Sequence, residues 1–172
     1  MSLVSRITEV VTAIGVAIKS KQDKSIIREL VSDINLVSTS LIDVPALSYT
    51  LKANTVYQLI AYLPFSASTS GAVCKIGYSA PAGAISMLEV LTPINNINLS
   101  VYDYYSYIYS SGEILSQASA GYTLLTNTQT NPCMVKGIIK TNSGGVFTLR
   151  VASEDGTSVT IKAGSTLILI PA

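Results

Sequence analysis

The chain has 172 residues, 48% of them hydrophobic and only 12% charged, and eleven basic against ten acidic residues leave a net charge of +1. That length fits one domain with a short appendage, and near-neutrality removes the electrostatic footprint of a nucleic-acid or anionic-membrane partner. The charged fraction is about half of the ~25% of an ordinary soluble domain, so assembly, in which subunit contacts cover a neutral surface, is the first expectation.

Apolar residues at Leu3, Ile7, Val10, Ile14 and Ala17 alternate spacings of four and three, the seam of a coiled coil. Val4, Val11 and Ile18 recur at seven-residue intervals beside that seam and widen the stripe beyond what a two-stranded coil needs. A helix over Leu3 to Lys19 carrying β-branched residues and Gly15 is marginal alone and needs a partner. Its own copies, another protein and its own domain all remain candidates. Arg6 and Glu9 interrupt the apolar run, so the segment is read as part of the mature protein rather than a signal peptide. No run of eighteen uncharged apolar residues occurs, and no membrane insertion is expected. Lys19 to Lys24 is polar and reads as a hinge, which divides the chain into a helical anchor or trimerisation segment, 1–24, and a β domain, 25–172.

From Ser25 onward the periodicity changes. Ile26 to Leu30 fits helix or strand, and Ile34 to Val37 and Leu47 to Leu51 read as strands separated by Asp43 and Pro45. Thr55 to Leu63 is rich in β-branched and aromatic residues, is long enough to cross a sheet, and stops at Pro64. Further strands are expected at Ala72 to Tyr78, Ser86 to Leu91, Leu99 to Tyr109, Tyr122 to Thr126, Met134 to Lys140, Val146 to Val151, Ser158 to Ile161 and Thr166 to Ile170. Asn142-Ser-Gly-Gly145 and Glu154-Asp-Gly156 mark reversals, because glycine supplies the positive φ of tight turns. Read as hairpins, they make a meander of the last four strands. Short strands at this spacing indicate a sandwich or barrel, and the last strand, apolar on both faces, needs cover on its outer side.

Candidate chemistry is sparse. The chain contains no histidine, which removes the commonest general base, and no GxSxG, P-loop or paired-cysteine motif is present. Asp103, Glu89 and Glu113 could form a carboxylate pair only if the fold brought them together, and solvated side chains are the expectation. The protein is expected not to be an enzyme and to use no cofactor and no metal. Cys74 and Cys133 lack metal-site spacing and read as reduced core residues. Asn98-Leu-Ser100 matches a glycosylation sequon but reads as incidental without a secretory signal. Tyr102, Tyr104, Tyr105, Tyr107 and Tyr109 gather half of the ten tyrosines into eight positions. Strict alternation would divide them between two faces, and a bulge at Tyr104-Tyr105 would align most of them. Their rings suit a contact surface for a host polysaccharide or another protein, and equally well half-buried sheet packing.

Three segments resemble virion proteins of tailed bacteriophages. Ser2-Leu-Val-Ser-Arg-Ile-Thr-Glu9 with the apolar helix behind it is similar to the N-terminal segments of head-fibre and tail-fibre proteins. Leu47-Ser-Tyr-Thr-Leu-Lys-Ala-Asn-Thr-Val-Tyr57, continuing to Phe65, resembles the first strands of phage jelly rolls related to the complement and tumour-necrosis-factor-like fold. Val135-Lys-Gly-Ile-Ile139, Gly145-Val-Phe-Thr-Leu-Arg-Val-Ala152 and Val159-Thr-Ile-Lys-Ala-Gly-Ser-Thr-Leu167 are similar to its C-terminal strands. Together these cover more than half the chain, while Gly83 to Gln129 has no counterpart. The resemblance implies an antiparallel β-sandwich jelly roll behind a coiled-coil-like helix and a homotrimer attached to a capsid or tail. It also implies a place in the virion after assembly in the host cytoplasm. The leading expectation is a trimeric head fibre or capsid-decoration protein whose jelly rolls project outward and aid host adhesion. The second is a tail-fibre or receptor-binding tip that recognises cell-surface glycans.

Overall fold

A computed structural model describes residues 2–22, 25–68, 74–94, 103–109, 130–153 and 156–172. Helix α1 covers Leu3–Gln22. Its N-terminus is capped by Ser2, whose side-chain oxygen accepts the Ser5 N–H at 3.2 Å, the contact that replaces a missing intrahelical partner in the first turn. The Thr8 and Thr12 hydroxyls donate back to the carbonyls of Val4 and Thr8, acceptors the helix itself uses, so these bonds satisfy the hydroxyls without strengthening the helix.

Twelve strands follow among the described residues: β1 Ile26–Glu29, β2 Ile34–Leu36, β3 Ile42–Leu51, β4 Val56–Tyr62, β5 Phe65–Ala67, β6 Cys74–Ser79, β7 Ile85–Ile94, β8 Asp103–Tyr109, β9 Met134–Lys140, β10 Gly145–Ser153, β11 Val159–Ile161 and β12 Thr166–Pro171. Their pairing is nested: β1 pairs β12, β2 pairs β11, β3 pairs β10 and β4 pairs β9, all antiparallel. A long two-stranded ribbon rolled up on itself gives this order, which is the jelly-roll topology. Rolling up lays β1, β12, β4, β9, β7 and β8 side by side in one sheet. It sets β3-β10-β6 opposite, with a short sheet β2-β11-β5 beside them.

Alternation in the strands decides which side chains meet between the layers. In β4, Tyr57, Leu59 and Ala61 are buried while Val56, Gln58 and Tyr62 face outward, and in β12 Leu167 and Leu169 are fully buried. Val44, Leu47, Leu51, Phe147, Leu149 and Val151 come from the opposite sheet to complete one continuous core. The Tyr78 and Phe147 rings stack there, 5.7 Å between centroids, an offset favourable to aromatic pairs. Cys74 and Cys133 are both buried and unpaired. Burial pushes the Cys74 thiol up to about 12 and Cys133 higher still, where the neighbouring Cys74 adds to the desolvation, so neither ionises near neutrality.

The structure corrects several expectations. The last four strands do not form a meander, because β9, β10, β11 and β12 pair with earlier strands and never with one another. The chain therefore changes sheet between β9 and β10 and again between β10 and β11 instead of closing hairpins there. Turn residues fix where the chain reverses, not which strand it meets next. Asp43 and Pro45 do not separate strands, since β3 runs through both. Its register against β10 shifts between Thr148 and Arg150, and Pro45 falls in that bulge, where no ladder N–H is required. Ile26–Glu29 is strand, not helix, and β5 was not anticipated. The strand expected at Tyr122 to Thr126 lies outside the described residues, as do Asn98-Leu-Ser100 and Glu113.

Candidate assembly surfaces

Two apolar surfaces are exposed among the described residues. The first is α1, where Val4, Ile7, Val10, Val11, Ile14 and Val16 are each more than half exposed. Between Val4 and Val16 only Ser5 is even partly buried, so the chain's own strands leave the stripe uncovered. Ile7, Val10 and Ile14 of the expected seam thus stand open on one helix. Leu3 and Ala17 lie within the same helix. No helix among the described residues is long and apolar enough to span a bilayer.

The second surface was read from the sequence only at its last strand, whose outer side was expected to need cover, and not across the neighbouring strands. It is the outer face of the six-stranded sheet, where the register aligns Val56, Lys140 and Ile85 in one row and Gln58, Ile138 and Met87 in the next. Ile60, Lys136 and Glu89 follow, then Tyr62, Met134 and Leu91. Ile85 and Met87 are each 60% exposed and Ile138 52%. Lys136 Nζ lies 3.1 Å from Glu89 Oε2, so the charges at the centre of the face neutralise each other within one chain. The signal was present as alternate apolar residues in strands that also carry an apolar inner set, but without pairing partners the two sets could not be assigned to faces.

A depression of about 490 Å³ opens on this face, lined by Val56, Gln58, Met87, Lys136 and Ile138 with the backbone near Leu88 and Gly137 at its floor. Gly137 holds φ at +155°, and a Cβ there would sit 2.1 Å from the Met87 carbonyl oxygen. Only glycine lets β9 approach β7 so closely.

The tyrosine-rich segment forms β8, whose register against β7 runs unbroken from Leu88 opposite Tyr109 to Ile94 opposite Asp103. The bulge that would have aligned the tyrosines is absent at Tyr104-Tyr105, and these two, Tyr107 and Tyr109 lie in one regular strand. Tyr102 lies outside the described residues. The structure places β8 at one end of the six-stranded order and α1 apart from it, so the two groups predicted from sequence do not make one site.

The described ion pairs are surface contacts. Besides Lys136 with Glu89, Arg150 Nε lies 2.8 Å from Asp43, and Lys162 Nζ lies 3.0 Å from Asp33. Asp33 also accepts the Ala163 N–H at 2.8 Å, tying the segment before β2 to the turn before β12. That backbone bond first, then Lys162, holds the Asp33 carboxyl below its ordinary value.

No family model matches the chain, and no curated protein matches it. Among solved structures, the VP2 subviral particle of infectious bursal disease virus aligns over 86% of this chain at 12% identity and a TM-score of 0.22. The structure of the Gx strain of that virus aligns over 86% at 10% identity and 0.20. This chain spans 39% of the length of each of those chains. Likeness at that level adds nothing to the fold that strand pairing defines.

Proposed function

We propose that this protein is a virion structural component, a trimeric head fibre or capsid-decoration protein of a tailed bacteriophage. In this reading residues 1–24 attach it and its jelly roll, 25–172, projects outward. The observation that carries the reading is the exposed apolar stripe of α1: a charge-poor chain bears a coil-spaced helix that its own core leaves uncovered. Three such helices bury their seams on one another or in a groove of the shell, and the wide stripe suits more than two. The order of the jelly-roll strands supports the resemblance to phage fibre modules on which the virion location rests.

The role is mechanical rather than catalytic, in keeping with a sequence that lacks histidine and with surface ion pairs that tie strands and turns together. Adhesion to host polysaccharide belongs to the same reading, with Tyr104, Tyr105, Tyr107 and Tyr109 on β8 as the contact strand. Electron microscopy of the particle, together with light scattering on the full chain, tests the proposal. Density for three copies at the shell and a solution mass of three chains are expected. A one-chain mass, or a particle without the protein, overturns it.

A further inference from the structure

We infer that the end of the sandwich at which the chain enters from α1 is a positively charged seat for a carboxylate-bearing surface of the particle's shell protein. The inference deepens the proposed attachment through α1 and rests on it. Three residues, 23–25, separate the end of the helix at Gln22 from Ile26 of β1, and a chain of that length reaches no further than about 15 Å. Wherever the helix is anchored, this end of the β domain is held beside the anchor. Ile26 pairs with Leu169 near the close of β12, and the Ala172 N–H donates to the Val56 carbonyl at the start of β4. Val56, Lys140 and Ile85 share one row of the sheet, so the β3-β4 turn, the β6-β7 turn and the β9-β10 connection gather at the same end.

Charge is unevenly spread along the strands. Lys52, in the β3-β4 turn, and Lys140, at the close of β9, are both exposed, and neither makes an ion pair among the described residues. Thr141 links their backbones, since its hydroxyl donates to the Lys52 carbonyl at 2.6 Å. The acidic residues of the described strands and turns lie elsewhere. Glu89 is paired with Lys136 in the middle of the sheet, and Glu29, Asp33, Asp43 and Asp103 fall at the far end, where Arg28, Lys75, Arg150 and Lys162 balance them. At the near end the carboxyl group of Ala172 offsets one lysine, and Asp23 and Lys24 of the hinge cancel. Lys19 and Lys21, in the last turn of α1, add positive charge by their place in the chain. A chain of net charge +1 is therefore basic toward its helix.

The rest of this end selects a protein surface as the occupant. Asn142 Nδ2 donates to the Gly83 carbonyl and Ser143 Oγ to the Ala82 carbonyl, each at 2.9 Å. These bonds knit the turns into one platform whose exposed groups beside the lysines are small and neutral. A preformed platform loses little freedom on docking. Two fixed ammonium groups among neutral neighbours match discrete carboxylates, whereas a nucleic acid is held by many basic contacts along its backbone. Rim charges of this kind fix orientation more than they add affinity, so α1 supplies the hold and the seat sets the direction in which the jelly roll projects.

Co-sedimentation of the full-length protein with particles stripped of it tests the seat. Lys52→Glu with Lys140→Glu, both exposed side chains, is expected to weaken attachment about tenfold at ~0.1 M salt and to flatten its salt dependence. Lys75→Glu at the far end is expected to change neither. Native attachment by the Lys52→Glu, Lys140→Glu variant, alongside loss in Ile7→Asp with Ile14→Asp, overturns the seat while leaving the anchor standing. Native attachment by both double variants overturns the seat and the anchor together. An equal loss in Lys75→Glu overturns the inference, and so does binding of the native protein to duplex DNA or phosphatidylserine vesicles that the same two reversals abolish.

Discussion

Thr141 shows how much one buried hydroxyl organises. It is fully buried after β9, and its Oγ1 lies 2.6 Å from the Lys52 carbonyl and accepts the Thr55 N–H at 3.1 Å. The Lys52 N–H in turn donates to the Tyr57 hydroxyl at 2.9 Å. Between them the two side chains hold the β3-β4 turn, in which Asn54 adopts a positive φ of 52°, a conformation that asparagine tolerates. Thr141→Val keeps the shape but leaves the Thr55 N–H unpaired, and a loss of about 1–3 kcal/mol is expected in chemical denaturation. Asp33 acts at the surface. Its folded pKa is depressed, so its stabilisation is present above the ordinary aspartate range and fades as pH falls through the lowered value. Unfolding midpoints of the native protein and Asp33→Asn should differ most at neutral pH and converge in acid; a constant gap would show that the carboxylate contributes nothing through its charge.

At the scale of elements, α1 and the strands obey different rules. The helix stripe gains nothing from the chain's own core, so Ile7→Asp with Ile14→Asp should leave the unfolding of the β domain unchanged, within ~0.5 kcal/mol for exposed sites. The same pair should reduce attachment to the particle, measured by co-sedimentation. A matched loss of β-domain stability would show that the stripe is packed at home. Most strands were legible because alternation and β-branched content are local: Val56–Tyr62, Met134–Lys140 and Thr166–Pro171 match their expected spans closely. Pairing was not legible, since Gly145–Ser153 reads the same whether its neighbour is the preceding strand or one about a hundred residues earlier. Likewise Pro45 punctuates a sequence, yet a bulge lets β3 run through it. Beyond its last strand the outer sheet face stayed hidden for the same reason: Ile138 becomes a surface residue only once β4 and β7 flank it.

The whole molecule is governed by its nesting. Because the first strand pairs with the twelfth and the third with the tenth, almost every stabilising contact joins distant parts of the chain, and loop closure precedes its reward. Refolding of the β domain is expected in the range of milliseconds to seconds by stopped-flow fluorescence of its tyrosines, and a microsecond phase carrying the full amplitude would contradict that topology. During synthesis the same arrangement imposes a delay. Ile26–Glu29 emerges early but has no ladder partner until Thr166–Pro171 has left the ribosome, so the first strand waits with its apolar side chains unsatisfied while the rest of the sandwich is made. The exposed helix is under no such constraint; in the proposed trimer it can pair first and bring sister chains side by side before any of them has closed its sandwich.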